Sequence, residues 1–479
     1  MKSYPFLLIA ILVASGLAEA GREKGFNSGL FSYRGFICND SVFSRRFAYL
    51  REMRDRYGVD FFWVEFPDPE FSRGNWDTYK ARLKQLVQDC HRLGMRCGVQ
   101  VYSIDTAGGT YFPISCRVPD NQQWSRHGAV GRATLSPYIM IAQERDLRPP
   151  QLALRRNWEE YLRAVAEAEP DYVVPDDTVH YVQNCGYNPA GLHMWRKFAK
   201  ERFSLSVAGY PNRAVNETFR AFVLFGMWAA VRYVDRMGEI IKKISPMTKV
   251  LADMCSGSLS WLHRTNAHGL LWYDMPHVDG VMLNVNPYVE GALAYLNDWA
   301  RRLHAQGKEL WVWVGYALRA IHNRKRWAFA YYVAMAKLFG ADGLKIYDWQ
   351  ILTRKKPYGE AMRRFLPQAL RAWKAMGKPV LPKIGVYYGW GSQFAAMAKQ
   401  KAVQRADAFA ALSWARSLRE IFAPYVHLCT LFRLEDAIHY PVIILRFDGD
   451  PESRELWHEE ASALLQSGKE VGLLACGTP

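Results

Sequence analysis

Short apolar runs alternate along this chain with longer stretches whose apolar residues recur at helical spacing. "VDFFWVEF" (59–66) is apolar at successive positions until Glu65, the pattern of a strand buried on both faces. "SVFSRRFAYLREMRDRYG" (41–58) has helical spacing and a stop signal in Gly58. The same reading predicts strands at 29–37, 95–103, 172–174, 248–254, 278–285, 308–316 and 341–349. Helices are predicted at 75–94, 156–168, 212–244, 288–306, 323–339 and 358–376, with a long polar loop before residue 153. Strands that each lead into a helix give α/β, a closed (β/α)8 TIM barrel, with an open doubly wound sheet as the alternative.

"MGKPVLPK" (376–383) carries prolines and a glycine and reads as a linker. Beyond it strands are predicted at 383–389, 425–430, 440–447 and 469–477, with a helix near 400–421. This is a small Rossmann/flavodoxin-like α/β domain over 383–479, incomplete or ending on its edge strand. At the other end, "MKSYPFLLIAILVASGLAEAG" has one lysine, a short apolar run and a small-x-small ending. That is the layout of a signal peptide over residues 1–20, which leaves the barrel at 21–377. Export, to a secreted or periplasmic location, is the expectation. No later stretch is apolar enough to span a bilayer, so no stable membrane span is expected after cleavage.

Composition adjusts this picture. A chain of 479 residues suits a large domain plus a smaller one, and 17 Trp, 26 Tyr and 24 Phe supply both core and ligand platforms. The net charge of +16 is spread through clusters such as "NRKRW" (323–327) and carries no nucleic-acid motif, so no nucleic-acid partner is expected. A basic surface could instead attract an anionic polysaccharide or a membrane surface. The 8 cysteines include no CxxC. Disulfides are open in an exported protein, and neither a metal nor another cofactor is expected.

In such a barrel the chemistry lies at the C-terminal ends of the strands. Strand two ends with Trp63, Glu65 and Asp68, strand three with Tyr102 and Asp105, and strand four with Asp176, Asp177 and His180. Strand five offers Asp253, strand six Asn284 and Asn286, strand seven Trp313 and Tyr316, and strand eight Asp348 and Trp349. Carboxylates interleaved with aromatics suit a carbohydrate cleft, where rings stack on sugars and paired carboxyls act as acid and as base or nucleophile. Plainer roles stand beside these. One of Asp176 and Asp177 suits a helix cap, Glu65 a buried ion pair, His180 a loop hydrogen bond and Asp348 the orientation of a neighbour.

The segment "DYVVPDDTVHYVQNCGYNPAGLHMWRKFAKERF" (171–203) resembles the strand-four region of family 42 glycoside hydrolases, the β-galactosidase group. "FGADGLKIYDWQ" (339–350) and the loop "CRVPDNQQWSRHG" (116–128) are similar to other parts of those barrels. "KIGVYYGWGSQF" (383–394) is similar to the start of their amidotransferase-like domain, which contributes to trimers. The resemblance implies Asp177 as acid/base residue, followed by Cys185 and by a helix bearing Trp195, Phe198 and Phe203. It also implies a homo-oligomer. The family places an Asn-Glu pair where this chain has Asp176-Asp177, and its nucleophile is a glutamate at the end of strand seven. Here "LWVWVGYALR" (310–319) has no carboxylate, and Glu309 stands at the opposite end of that strand. The cysteine cluster of some members is reduced to Cys185, with Cys116 distant.

Two carbohydrate readings follow. In one the chain is an exported glycoside hydrolase with Asp177 as acid and Asp348, Glu65 or Asp176 as partner. In the other the barrel is a pseudoenzyme that binds sugar or serves as an exported scaffold. A third reading, an interaction protein using its basic face, requires positive residues to converge on one patch.

Overall fold

The computed structural model describes residues 27–32, 35–67, 74–101, 137–175, 189–209, 217–254, 274–284, 296–314, 333, 336–338, 340–347, 357–375, 384–387, 428–431, 440, 442–447, 454–467 and 470–475. β1 (Asn27–Ser32), β2 (Phe61–Glu65), β3 (Arg96–Val101), β4 (Tyr172–Pro175), β5 (Lys249–Met254), β6 (Gly280–Asn284), β7 (Glu309–Val314) and β8 (Gly343–Tyr347) form a closed parallel barrel. Each strand pairs with the next, and β8 returns to β1 with Leu30 opposite Ile346.

Around it lie α1 (Gly35–Cys38), α2 (Asp40–Ser44), α3 (Arg46–Tyr57), α4 (Trp76–Arg92), α5 (Pro137–Ile141), α6 (Pro149–Ala166), α7 (Pro189–Phe203), α8 (Glu217–Ile244), α9 (Leu296–Ala305) and α10 (Pro357–Ala375). Strand alternation sorts the side chains. Phe62, Val64, Val99, Val173, Val281 and Leu344 join the core between strands and helices. Phe61, Trp63, Tyr172, Val174, Leu251, Met282 and Trp311 form a separate core inside the barrel. Burial on both faces explains why these strands read as unbroken apolar runs.

One device recurs at the N-terminal end of the barrel. An aspartate stands immediately before each even-numbered strand: Asp60, Asp171, Asp279 and Asp342. Asp171 accepts from the Cys97 N–H of β3 at 2.8 Å, Asp279 from the Val250 N–H of β5 at 2.7 Å, and Asp342 from the Leu310 N–H of β7 at 2.8 Å. Each also meets a basic side chain from the helix that precedes the odd strand: His91 at 2.9 Å, Lys242 at 2.8 Å and His304 at 2.7 Å. Asp60 meets Lys374 near the end of α10 at 3.7 Å, which completes the series around the ring. In β3, β5 and β7 a charge-assisted bond to the strand's second N–H ties it to the strand that follows.

A second, four-stranded parallel sheet has the order β10 (Leu428–Leu431), β9 (Ile384–Tyr387), β11 (Val442–Phe447), β12 (Glu470–Ala475). α11 (Arg454–Gln466) joins β11 to β12. A sheet in which the second strand flanks the first has the flavodoxin-like arrangement.

Several boundaries differ from expectation for local reasons. The first strand is Asn27–Ser32 rather than 29–37. The single helix expected over 41–58 is broken at Arg45, and its first part is capped by Asn39, whose side chain accepts from the Val42 N–H at 3.2 Å. Gly58 does stop α3, in the left-handed conformation at φ 72°. α6 starts at Pro149 inside the expected loop, because Pro suits a helix N-terminus and the Gln151 side chain accepts from the Arg148 N–H at 2.9 Å. Cys38, Cys90 and Cys97 are not in disulfides, and burial pushes the Cys90 thiol up from its ordinary pKa. Among the described residues no helix is long and apolar enough to cross a membrane. The leader (1–20), the linker (376–383), the helix near 400–421, the loop 116–128, Cys116 and Cys185 lie outside the described residues.

Candidate active site at the C-terminal end of the barrel

The interior of the barrel changes character from bottom to top. In its lower part Phe61 and Trp63 stack with centroids 4.9 Å apart, and Trp311 meets Trp63 edge-on at 5.5 Å. Tyr172 packs against Trp311 at 4.9 Å. Two glycines make room for these rings. A Cβ on Gly98 would collide with the Trp63 indole, and one on Gly343 with the Trp311 indole. Large residues on some strands are thus matched by glycine on their neighbours.

Below this layer sits Glu309, the first residue of β7. Its Oε2 accepts from the Tyr172 hydroxyl at 2.9 Å and from the Trp311 Nε1 at 2.8 Å, and its Oε1 meets the Lys249 ammonium. Burial and the Glu309 carboxylate push the Tyr172 phenol well above its ordinary range, so it remains a donor. The position expected to lie at the wrong end of strand seven does lie there, in a closed structural knot.

Above the aromatics the inward positions turn polar. Moving two residues along each strand leads from Trp63 to Glu65, Gly98 to Gln100, Leu251 to Asp253, Trp311 to Trp313 and Gly343 to Lys345. Glu65 pairs in register with Gln100, and Trp313 with Lys345. Glu65, Gln100, Asp253 and Lys345 are all buried. The Lys345 ammonium donates to the Gln100 carbonyl oxygen and lies 4.2 Å from the Trp313 ring centroid and 5.6 Å from that of Trp63. Buried carboxyls on β2 and β5 and a buried lysine on β8 therefore all occupy inward positions above the aromatic plug. Polar groups taken out of water at this cost are held by partners, and in a barrel they accumulate at the end where the chemistry lies.

Of the residues singled out from sequence, the structure brings Glu65, Asp253 and Trp313 into this layer. Trp63 lies one layer below, 0% exposed, sealed by Phe61, Tyr172 and Trp311. Asn284 ends β6 opposite Trp313. Asp176, Asp177, His180, Tyr102, Asp105, Tyr316, Asp348 and Trp349 lie outside the described residues. Gln100 and Lys345 were missed. Their signal is alternation: in "RCGVQV" and "GLKIY" each stands two residues beyond a glycine on the inward face. Among the described residues no cluster of His, Cys, Asp and Glu is arranged to hold a metal.

No protein-family model matches this chain, and no curated protein matches its sequence. Solved structures match it in fold. A β-galactosidase from the haloarchaeon Halorubrum lacusprofundi superposes with a TM-score of 0.62 at 13% identity, over 93% of this chain and 72% of that one. A catalytic mutant of Gan42B, a GH42 β-galactosidase from G. stearothermophilus, gives 0.62 at 11% identity over 94% and 72%. The exo-β-1,4-mannosidase Op5Man5 from Opitutaceae bacterium strain TAV5 gives 0.52 at 11% identity over 95% and 78%. The chain has the TIM-barrel fold of the family 42 β-galactosidases.

Proposed function

We propose that this chain is an exported, glycoside-hydrolase-like protein whose carbohydrate site is the C-terminal mouth of the barrel. The observation that carries the reading is the buried polar layer of Glu65, Gln100, Asp253 and Lys345 directly above an aromatic plug. A barrel needing only stability would continue its apolar packing through these positions. The β-galactosidases and the mannosidase with this fold support a glycan as the ligand class.

Asp177 and Asp176 are the proposed acid and its companion, with Asp348 as a further carboxyl, and Glu65 and Trp313 contribute from the described layer. Tyr172 and Val174 face the barrel interior. A strand keeping that alternation past Pro175 would turn Asp176 inward next, so both aspartates belong in the test. Hydrolysis of aryl β-galactosides and β-mannosides by wild type, Asp176→Asn and Asp177→Asn is the experiment. Loss of the general acid lowers turnover by about 10²–10⁴-fold. Wild-type turnover in both variants would remove the pair from the mechanism.

A second reading, a sugar-binding barrel without hydrolysis, draws on β7. Above Glu309 its inward residues are Trp311 and Trp313, and its one carboxylate, Glu309, is held at the bottom by Tyr172, Trp311 and Lys249. Glycan binding with no turnover on any glycoside tested would select it.

A further inference from the structure

Outside the barrel interior, α2, α3 and α4 share an outer face on which arginines and aromatic rings interleave. The Phe43 ring lies beneath two guanidiniums, Arg46 at 4.2 Å and Arg82 at 5.0 Å. Phe47 likewise has Arg51 at 5.0 Å and Arg92 at 5.1 Å. Asp89 joins the two sets, meeting Arg46 at 2.7 Å and also Arg92. A fifth guanidinium, Arg45, stacks on Tyr49 at 5.1 Å. Asp40 and Asp89 are the carboxylates bound to this cluster, so five cations against two anions leave a net +3. Among the described residues Arg45 and Arg51 have ring contacts and no ion pair.

We propose that this face is a docking surface for an anionic polysaccharide, one bearing carboxylate or sulfate groups at repeated intervals. Arg46, Arg82 and Arg92 already spend N–H groups on Asp89, Asp40 and backbone carbonyls, whereas Arg45 and Arg51 are exposed, and a guanidinium so placed pairs with carboxylate or sulfate in a fork. Two such groups beside three ion-paired arginines suit a repeating polyanion. Other anionic partners fit less well. Nucleobases need an open aromatic face, and both phenylalanine rings here are covered by arginine. Membrane insertion needs an exposed apolar rim, and the large exposed hydrophobic side chains among the described residues, Ile244, Met247 and Leu465, are on other elements. The chain's +16 charge supports long-range attraction to such a polymer. The surface uses none of the inward residues of the polar layer, so it does not depend on what the mouth binds.

The test is binding of the full chain to heparin as the sulfated probe and polygalacturonate as the carboxylated one, with neutral dextran, single-stranded DNA and phosphatidylserine vesicles as comparisons. Arg45→Gln/Arg51→Gln removes two charges that hold no ion pair, and unchanged thermal unfolding shows that the fold survives. Lys200→Gln/Arg202→Gln on α7 removes the same charge elsewhere. The expected result is salt-sensitive binding of at least one polysaccharide, weakened about tenfold or more in the α3 variant and less than about threefold in the α7 control. Absence of binding to both polysaccharides, equal loss in the two variants, or tighter binding of DNA or vesicles would overturn the proposal.

Discussion

The two ends of one barrel are built from the same strands and behave oppositely. At the N-terminal end the charged groups described have fixed partners: Asp171, Asp279 and Asp342 hold backbone N–H groups of neighbouring strands and basic side chains of the helices. Glu309 closes the floor with Tyr172, Trp311 and Lys249. At the C-terminal end Glu65, Asp253 and Lys345 are buried in a layer whose polarity does nothing that aliphatic side chains would not do for packing. Polar groups that satisfy strand N–H groups argue for stability. Polar groups that replace a feasible apolar layer argue for function.

Substitutions can pull the two ends apart. The largest effect is expected from Lys345→Met, which removes the buried ammonium bound to Gln100 from an interior that also holds the buried Glu65 and Asp253 carboxyls. Urea unfolding should show a loss of about 3–5 kcal/mol. If stability holds, the layer is not electrostatically coupled. Next is Gly343→Ala, whose methyl would strike the Trp311 indole. Overpacking of this kind costs about 1–3 kcal/mol, read from the same measurement. Asp342→Ala leaves the Leu310 N–H without its acceptor and should cost about 1–3 kcal/mol while leaving glycan binding at the mouth intact. A binding defect in that variant would blur the distinction between the ends.

The smallest effect is a pH dependence. The Asp342 hydrogen bond raises the His304 pKa above its ordinary 6.5, against a smaller opposing effect of burial. A raised pKa in the folded state means the stabilisation is complete below 6.5 and is lost as pH climbs through the higher folded value. His304 is partly exposed, so solvent screens the pair. The stability difference between wild type and His304→Gln should therefore shrink between pH 6 and pH 8. A difference that grows over this interval would reverse the assigned sign.

Much of the barrel was legible because its strands are buried on both faces and read as apolar runs set between amphipathic helices. "VDFFWVEF" and "VDGVMLNV" show this directly, and each carries the aspartate that stands before an even strand. α6 was misplaced at its start because "RPPQ" reads as loop, although Pro and Gln also open a helix when the Gln side chain turns back on the chain. The polar layer was legible in part. Glu65, Asp253 and Trp313 were found by asking which polar or aromatic residues end strands. That question favours the last residue of a strand, so it overlooked Gln100 and Lys345, which alternation turns into the interior. It also placed Trp63 in the cleft, where strand parity is right but depth is one layer too low. Depth depends on the stagger of neighbouring strands, which a single strand's sequence does not carry.

The central claim, that function resides in the polar layer at the C-terminal end, is tested most directly by calorimetric titration of galacto- and manno-oligosaccharides. The proteins to compare are wild type, Glu65→Gln and Asp279→Asn. The account predicts binding by wild type and by Asp279→Asn within about twofold of each other, and at least about tenfold weaker binding by Glu65→Gln. Wild-type affinity retained in Glu65→Gln, with Asp279→Asn impaired instead, would contradict it.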